Sequence, residues 1–293
     1  MSESWREFTE FDAASCIRVP EEHDDKYSRG VLGVVTGSDD YPGAAVLGVE
    51  AAVRTGLGMV RYLGPERASL LVLQARPEVV AMAGRVQAWL VGSGQSADTR
   101  TDATRAQLEH AASSGLPVVV DAGALDLVAS IGGPALLTPH AGELATLLAA
   151  HGEQADRAAV TAEPAHWASR AADLTGAVVL LKGRVTHVCA PLEPGAAEGA
   201  RRAVRVQAPS SWAATAGSGD VLGGITGALV ATHSDEVRAD PALLVHLAAA
   251  AAHVHAWAAH RASAGGPLAA LDIARSVPAV VAELVTGVRR PTA

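Results

Sequence analysis

Cysteine is almost missing from this chain of 293 residues: Cys16 and Cys189 lie far apart, in no ligand or redox spacing. No disulfide framework or cysteine metal cluster is implied, and a reducing compartment fits. Charge is also sparse. Only 18% of residues are charged and the formal net charge is -8, which excludes the broad basic surface that nucleic-acid backbones require. The opening MSESWREFTEF lacks a basic start followed by an apolar run, so no secretory signal is read and a cytoplasmic protein is expected. No clean membrane span is present. The most apolar long stretch, Ala242 to Ala259, is mostly alanine and is broken by His246, His253 and His255, which suits a core helix better. Lysine is the last scarcity. Of 23 basic residues all are arginine except Lys26 and Lys182, so each lysine invites its own explanation.

What the chain does have is apolar substance, 49% of residues, ample for a large core and against disorder. Short β-branched runs alternate with alanine-rich stretches, as when crossover helices join parallel strands. Strands are expected at Val31 to Thr36, Met59 to Leu63, Ala88 to Val91, Pro117 to Asp121, Ala135 to Thr138 and Ala177 to Lys182. Helices are expected at Gly43 to Thr55, Ala97 to Ser113, Ala141 to Ala150 and Glu163 to Leu174. Val185 to Ala190 follows Lys182 after two residues, too few for a crossover, so that pair must be antiparallel. Pro191 to Ala203 reads as a surface loop, and from Gly219 onward the chain is almost wholly helical, near 220–231, 241–261 and 269–285. No linker or repeat divides it, so residues 1–293 are expected to form a single domain.

In open α/β sheets ligands sit beyond the carboxyl ends of the strands. The sharpest candidate is Thr215-Ala216-Gly217-Ser218-Gly219-Asp220, a glycine-rich turn that opens a long apolar helix. Glycines let the backbone approach an anion, and the helix start offers free N–H groups and the positive dipole end. Asp220, expected to stay ionised in that first turn, is the candidate base for a substrate hydroxyl. Simple helix capping by Ser218 or Asp220 is the competing explanation. No G-x-x-x-x-G-K-[ST] loop exists, whereas Gly92 to Ala97 fits G-x-G-x-x-A and keeps a dinucleotide-binding alternative open. His140 in Thr138-Pro139-His140-Ala141-Gly142-Glu143 could donate to a phosphate, with Glu143 capping through Thr138 or the local backbone. Lys182 in Lys182-Gly183-Arg184-Val185-Thr186 suggests a point charge near nucleotide phosphates. Asp121 ends an apolar strand, a position for a Mg²⁺ shell, for orienting a loop or for a cap. His246, His253 and His260 share one helical stripe, with His255 on another face, and packing is the default explanation for all four.

Together these pieces resemble the ribokinase-like superfamily, and within it the ADP- or ATP-dependent NAD(P)H-hydrate dehydratases. Lys26 to Gly30, Thr36-Gly37-Ser38, Pro42 to Ala45 and Arg54 to Val60 match in order. Val91 to Gly94, Val120 to Leu125, Thr138 to Glu143, Lys182-Gly183 and Ala214 to Gly224 follow. The match covers roughly residues 26–284, and the ordered set is far more specific than any one motif.

The resemblance implies a three-layer α/β/α fold with a mostly parallel sheet and an antiparallel edge. It also implies the reaction, nucleotide-driven dehydration of the S form of hydrated NADH or NADPH, with ADP favoured and giving AMP and phosphate, and Mg²⁺ bridging the phosphates. On it, Asp220 with Gly217, Ser218 and Gly219 is catalytic. Ala44, Gly94, His140 and Asp220 meet the hydrated dinucleotide, and Lys182, Gly183, Arg184, Val185, Thr186 and Gly219 line the nucleotide site. No residue is assigned to a metal. Tetramers are common in the family, and with about 25 residues before the match an epimerase would be a separate protein acting upstream. Three segments depart from the pattern: Ser210-Ser211-Trp212-Ala213 replaces N-P-G-M, Thr36-Gly37-Ser38 replaces G-G-S, and Gly92 to Ser96 lacks a final glycine and has Ser93 in place of proline. A kinase of the same fold, phosphorylating a vitamin-precursor alcohol, is the alternative.

Overall fold

The computed structural model of the chain describes residues 5–193, 195–197 and 200–288. Its centre is a sheet whose strands are short runs of valine and leucine. The first half contributes β1 (Arg6–Glu7), α1 (Glu10–Ser15), β2 (Val31–Val35), α2 (Pro42–Thr55), β3 (Met59–Tyr62), α3 (Glu66–Ala75), β4 (Ala88–Val91) and α4 (Asp102–Ser113). Next come β5 (Val118–Val120), β6 (Ala135–Leu137), α5 (Ala141–Ala150), α6 (Arg157–Ala162) and α7 (Pro164–Thr175). The rest is β7 (Val178–Leu181), β8 (Val185–Cys189), β9 (Ala203–Gln207), α8 (Ser218–Thr232), α9 (Ser234–Ala239), α10 (Leu244–Ser263) and α11 (Ala270–Val288). Strands β2, β4, β5 and β7 are buried along their whole length, which is why their sequences read as unbroken apolar runs rather than alternations.

Among the described residues the sheet has nine strands in the order β1-β9-β8-β7-β6-β5-β4-β2-β3. Only β8 runs against the rest, pairing antiparallel with β7 and β9. The two-residue Gly183-Arg184 connection forces that reversal. Each face of the sheet carries its own core: α1, α2, α3, α8, α10 and α11 cover one, and α4, α5, α6, α7 and the 3₁₀ turn at Ala122–Ser130 the other. This is the three-layer arrangement that the alternating runs imply.

Several local expectations need correcting. The helix expected over Ala97 to Ser113 is a short 3₁₀ turn, Ala97–Thr99, then an extended Arg100, and a helix that starts only where the Thr101 hydroxyl caps the Thr104 amide. Helices α3 and α6 were not expected. The stretch read as loop to Ala203 ends in β9, which pairs with the preceding strand β8 and with the remote β1 and whose Ala203-Val204-Arg205-Val206-Gln207 run is partly alternating; residues 194, 198 and 199 of that stretch lie outside the described set. The helical stretch Pro241–Ser263 is long and apolar enough to cross a membrane by composition, but 72% of its apolar 18-residue segment is buried inside the fold, as a core helix should be.

Helix α8 packs closely on α2. A side-chain carbon at Gly224 would lie 2.1 Å from the Gly48 carbonyl oxygen, so only glycine lets the two helices approach to this distance. The contact draws the first turn of α8 against the first turns of α2, beyond the strand ends.

Candidate active site

From β2 the chain goes to β3 on one side and then to β4 on the other, so the strand order reverses between β2 and β4. That is where open α/β sheets hold ligands. The Gly37 amide donates to the Ser93 carbonyl across this point, 2.7 Å. Successive strand ends then deliver Ser93, Asp121, Thr138, His140 and Lys182 to one rim.

Asp121 and Lys182 form its buried centre. Asp121 Oδ1 accepts from Lys182 Nζ and from Thr138 Oγ1, both at 2.8 Å, and Oδ2 accepts from Ser93 Oγ at 2.8 Å. Glu143 Oε2 lies 3.5 Å from the same ammonium. Both Asp121 oxygens thus accept from protein side chains, and neither caps the turn that follows, which sets aside the cap explanation of this residue. Burial alone would lower the Lys182 pKa, but the two carboxylates outweigh it and hold the lysine above its ordinary value. Lys182 therefore remains a cation in a buried place. Of the two partners expected for Glu143, Thr138 is spent on Asp121 and the local backbone is the one used. The α5 cap is made by His140 itself, whose Nδ1 accepts from the Gly142 and Glu143 amides at 3.0 and 3.1 Å while Glu143 Oε2 accepts from the His140 amide at 2.8 Å. With Nδ1 an acceptor, the ring's donor is Nε2, on its exposed side and 3.5 Å from Glu143 Oε1.

Gly217 opens α8 in the left-handed region, φ 85°, where only glycine is comfortable. A side-chain carbon there would also strike Leu47 Cδ1 of α2 at 2.5 Å. The turn brings Gly219 to Lys182: a side-chain carbon at Gly219 would sit 3.6 Å from Nζ. Asp220 follows at once. Burial, and then the neighbouring Asp121 charge, push its pKa up to about 6, against the pull of Lys182 and Ser93. Asp220 thus stays mainly ionised at pH 7, as expected, but desolvation outweighs the helix start and raises its proton affinity. A carboxylate of that pKa is still roughly nine-tenths ionised at pH 7 and binds a proton far more tightly than an exposed aspartate.

A cavity of 670 Å³ opens beside this turn. Lys182, Gly183, Arg184, Thr186, Gly219 and His140 line it, joined by Ser218, Ser210, Ser211 and Ala213. Val185 does not. Its floor is apolar, built by Leu222, Ala252 and Ala256. Ala44 and Gly94 are brought together elsewhere, on the α2 side: Gly94 has φ 67°, and a side-chain carbon on it would lie 2.5 Å from Ala44 Cβ. Gly217 and the Asp220 carbonyl face that same side, against Leu47 and Gly48. The first turn of α8 thus stands between the cavity and the packed N-terminal part of α2. The loop after β4 enters a 3₁₀ turn rather than a helix, so it offers no helix start to a pyrophosphate, and the dinucleotide-fingerprint alternative loses its geometry.

Arg157 and Thr161 also line the cavity without any sequence signal, and His255, for which packing was the default explanation, belongs to the site as well. His255, on α10, reaches the cavity wall, and its Nε2 lies 3.0 Å from Ser218 Oγ. Burial pushes its pKa down to about 4, so it is neutral. Its only sequence signal is a histidine within an alanine-rich helix. Of its neighbours, His246 packs near Phe8 and His253 near Trp257. Among the described residues no three His, Cys, Asp or Glu converge to hold a metal. A second cavity, 460 Å³, lies at the opposite ends of β6 and β7, with none of the sequence-read site residues on its walls.

The sequence profile of the NAD(P)H-hydrate dehydratase family matches residues 32–278. A bifunctional NAD(P)H-hydrate repair enzyme of Mycobacterium tuberculosis is 46% identical over 237 residues, 77% of this chain and 46% of that protein. The chain spans about half the length of this relative. An ADP-dependent (S)-NAD(P)H-hydrate dehydratase of Xanthomonas campestris is 32% identical over 238 residues, 73% of this chain and 77% of that protein. Among crystal structures, the ADP/ATP-dependent NAD(P)H-hydrate dehydratase of Bacillus subtilis, co-crystallised with ATP and Mg²⁺, superposes with a TM-score of 0.79 at 23% identity, covering 97% of this chain and 100% of that one. A ribokinase-like superfamily protein of Enterococcus faecalis superposes at 0.76 with 17% identity, covering 96% of each chain.

Proposed function

The chain belongs to the NAD(P)H-hydrate dehydratase family, and from that footing we propose that it restores NADH and NADPH from their S hydrates with ADP as the phosphoryl donor, acting as a single ribokinase-like domain. The observation that carries the reading is the meeting, at the start of α8, of a carboxylate whose proton affinity burial raises, a glycine-flanked helix start and a largely buried lysine beside a cavity. The cavity's 670 Å³ suits a nucleotide. Its apolar floor suits the adenine, and Lys182 with Arg184 suits the phosphates. The hydrated nicotinamide enters from the Ala44 and Gly94 side, with His140 Nε2 as a donor at the rim.

The chemistry follows from that placement. Hydroxide bound to carbon leaves poorly, and phosphate leaves well. Asp220 takes the ring hydroxyl's proton as its oxygen attacks the terminal phosphorus of ADP. The bond from that phosphorus to its bridging oxygen breaks, and AMP departs with the electrons. Phosphate then leaves the ring carbon with the carbon–oxygen electrons, a proton leaves the adjacent carbon, and the double bond returns. The N–H groups of Gly217 and Gly219 stabilise the charge in flight, a contribution of about 3 kcal/mol by analogy with oxyanion donors; the Ser218 amide is held by the Thr215 carbonyl.

Mg²⁺ is implied by the family as a companion of the nucleotide. This chain's residues do not build a cage for it: both Asp121 oxygens accept from protein side chains, and no other acidic cluster is found among the described residues. A Mg²⁺ arriving with ADP would be held by phosphate and water, as that ion commonly is. A tetrameric assembly, an epimerase activity acting upstream and a cytoplasmic setting complete the proposal. The test is to incubate pure protein with hydrated NADH and either ADP or ATP, following the return of reduced-nicotinamide absorbance. Return with ADP supports the reading. No return with either nucleotide rejects it and leaves the alcohol kinase.

A further inference from the structure

The proposed anion hole is a Gly-Ser-Gly turn with two backbone bonds around it, the Ser218 amide donating to the Thr215 carbonyl at 3.3 Å and the Val221 amide to the Gly217 carbonyl at 3.2 Å, and with little side-chain support. Gly217 at φ 85° and Gly219 have no side chains to pin the peptide planes between them. Ser218, 7% exposed, is the only member of the three with a side chain. That side chain is held by His255: Ser218 Oγ and His255 Nε2 are 3.0 Å apart, and either atom can be the donor. The histidine is itself carried on α10, whose neighbouring residues Ala251 and Val254 are wholly buried, so its backbone is fixed by the core. Burial keeps its ring neutral throughout the physiological range, which leaves its partnership with a hydroxyl undisturbed by pH.

We infer that His255, acting through the Ser218 hydroxyl, is a positioning residue that fixes the Gly217 and Gly219 amides in the orientation that receives the transferring phosphoryl group. The inference rests on the proposed phosphoryl-transfer reading. It assigns a role to a helix histidine that touches neither reacting atom. A misplacement of about 1 Å at such a site costs about a hundredfold in rate, so loss of the anchor should lower kcat by roughly ten- to a hundredfold. KM for ADP should change less, because Ser218→Ala removes one oxygen and leaves the cavity walls in place.

The experiment compares Ser218→Ala, His255→Ala, His255→Gln and the Ser218→Ala/His255→Ala double variant, each with its melting temperature. Expected are similar kcat losses for the two alanine variants, a double variant no worse than either, and partial recovery in His255→Gln, whose amide reaches the position of Nε2. A second readout needs no turnover. Affinity for AMP with aluminium fluoride, a mimic of the phosphoryl group in flight, should fall about tenfold in Ser218→Ala, while affinity for AMP alone should hold. Wild-type kcat in Ser218→Ala, losses that multiply in the double variant, or equal weakening of AMP with and without the fluoride overturns the inference. If His255→Ala does not fold, Ser218→Ala and His255→Gln decide. A wild-type protein that binds the fluoride complex in this way but restores no hydrated NADH refutes the proposed substrate and leaves the anchoring intact.

Discussion

Replacing Asp220 by asparagine should destroy activity and stabilise the protein, and the two effects should separate by pH. Burial and the adjacent Asp121 lift the Asp220 pKa from near 3.8 to about 6. Between those values the folded state binds more protons than the unfolded state, so stability declines as pH rises through the window and the full cost is present above it. At about 1.36 kcal/mol for each tenfold gain in proton affinity, the cost at pH 8 is at most about 3 kcal/mol. Asparagine carries no charge to desolvate. The variant should therefore melt up to about 5 °C higher than wild type at pH 8, for a chain of this length, with the gain shrinking to nothing below pH 4. Turnover should fall by about 10²- to 10⁴-fold, the range for loss of a general base. In the wild-type protein kcat/KM should decline on the acid side with a midpoint near pH 6, where the free Asp220 loses its charge. Calorimetric melts across pH and a pH–rate profile check all three. An active variant, or a stability gain that persists unchanged at pH 4, refutes the assignment of Asp220 as a buried base.

Lys182→Met should cost about 3–5 kcal/mol in urea unfolding, because Asp121 is left buried without its cation, and Asp121→Asn added to it should recover most of that loss. The same variant should weaken ADP binding in calorimetry. Gly219→Ala should keep or slightly raise the melting temperature, since alanine favours a helix and the new methyl has ordinary clearance, yet turnover should collapse as it intrudes between the amides and Lys182. Gly217→Ala should lower both: the left-handed backbone and the clash with Leu47 cost about 1–3 kcal/mol.

What could be read from sequence depends on the range of the interaction that fixes each feature. Val31 to Val35 or Val178 to Leu181 announce strands because burial on both faces leaves nothing but apolar residues there. Gly217 to Asp220 stands out because a glycine turn opening an apolar helix is local. Lys182 stands out only by the scarcity of lysine. Hidden from sequence were partnerships between strand ends far apart in the chain: Thr138 and Ser93 both turning to Asp121, and His255 reaching Ser218 from a helix 37 residues on. The raised proton affinity of Asp220 was hidden for the same reason, since it depends on burial and on Asp121 rather than on its place in the first turn. Strand β9 escaped although its run partly alternates, because its pairing with β8 and the remote β1 is what makes it a strand.

The central claim is that a phosphoryl group passes from ADP to the hydroxyl of a hydrated nicotinamide and is then expelled. Phosphorus-31 spectra of the reaction, taken alongside nicotinamide absorbance, count each product. One AMP and one inorganic phosphate for every NADH recovered is the predicted result. ADP consumed into a lasting phosphoester, with no NADH returned, would contradict it.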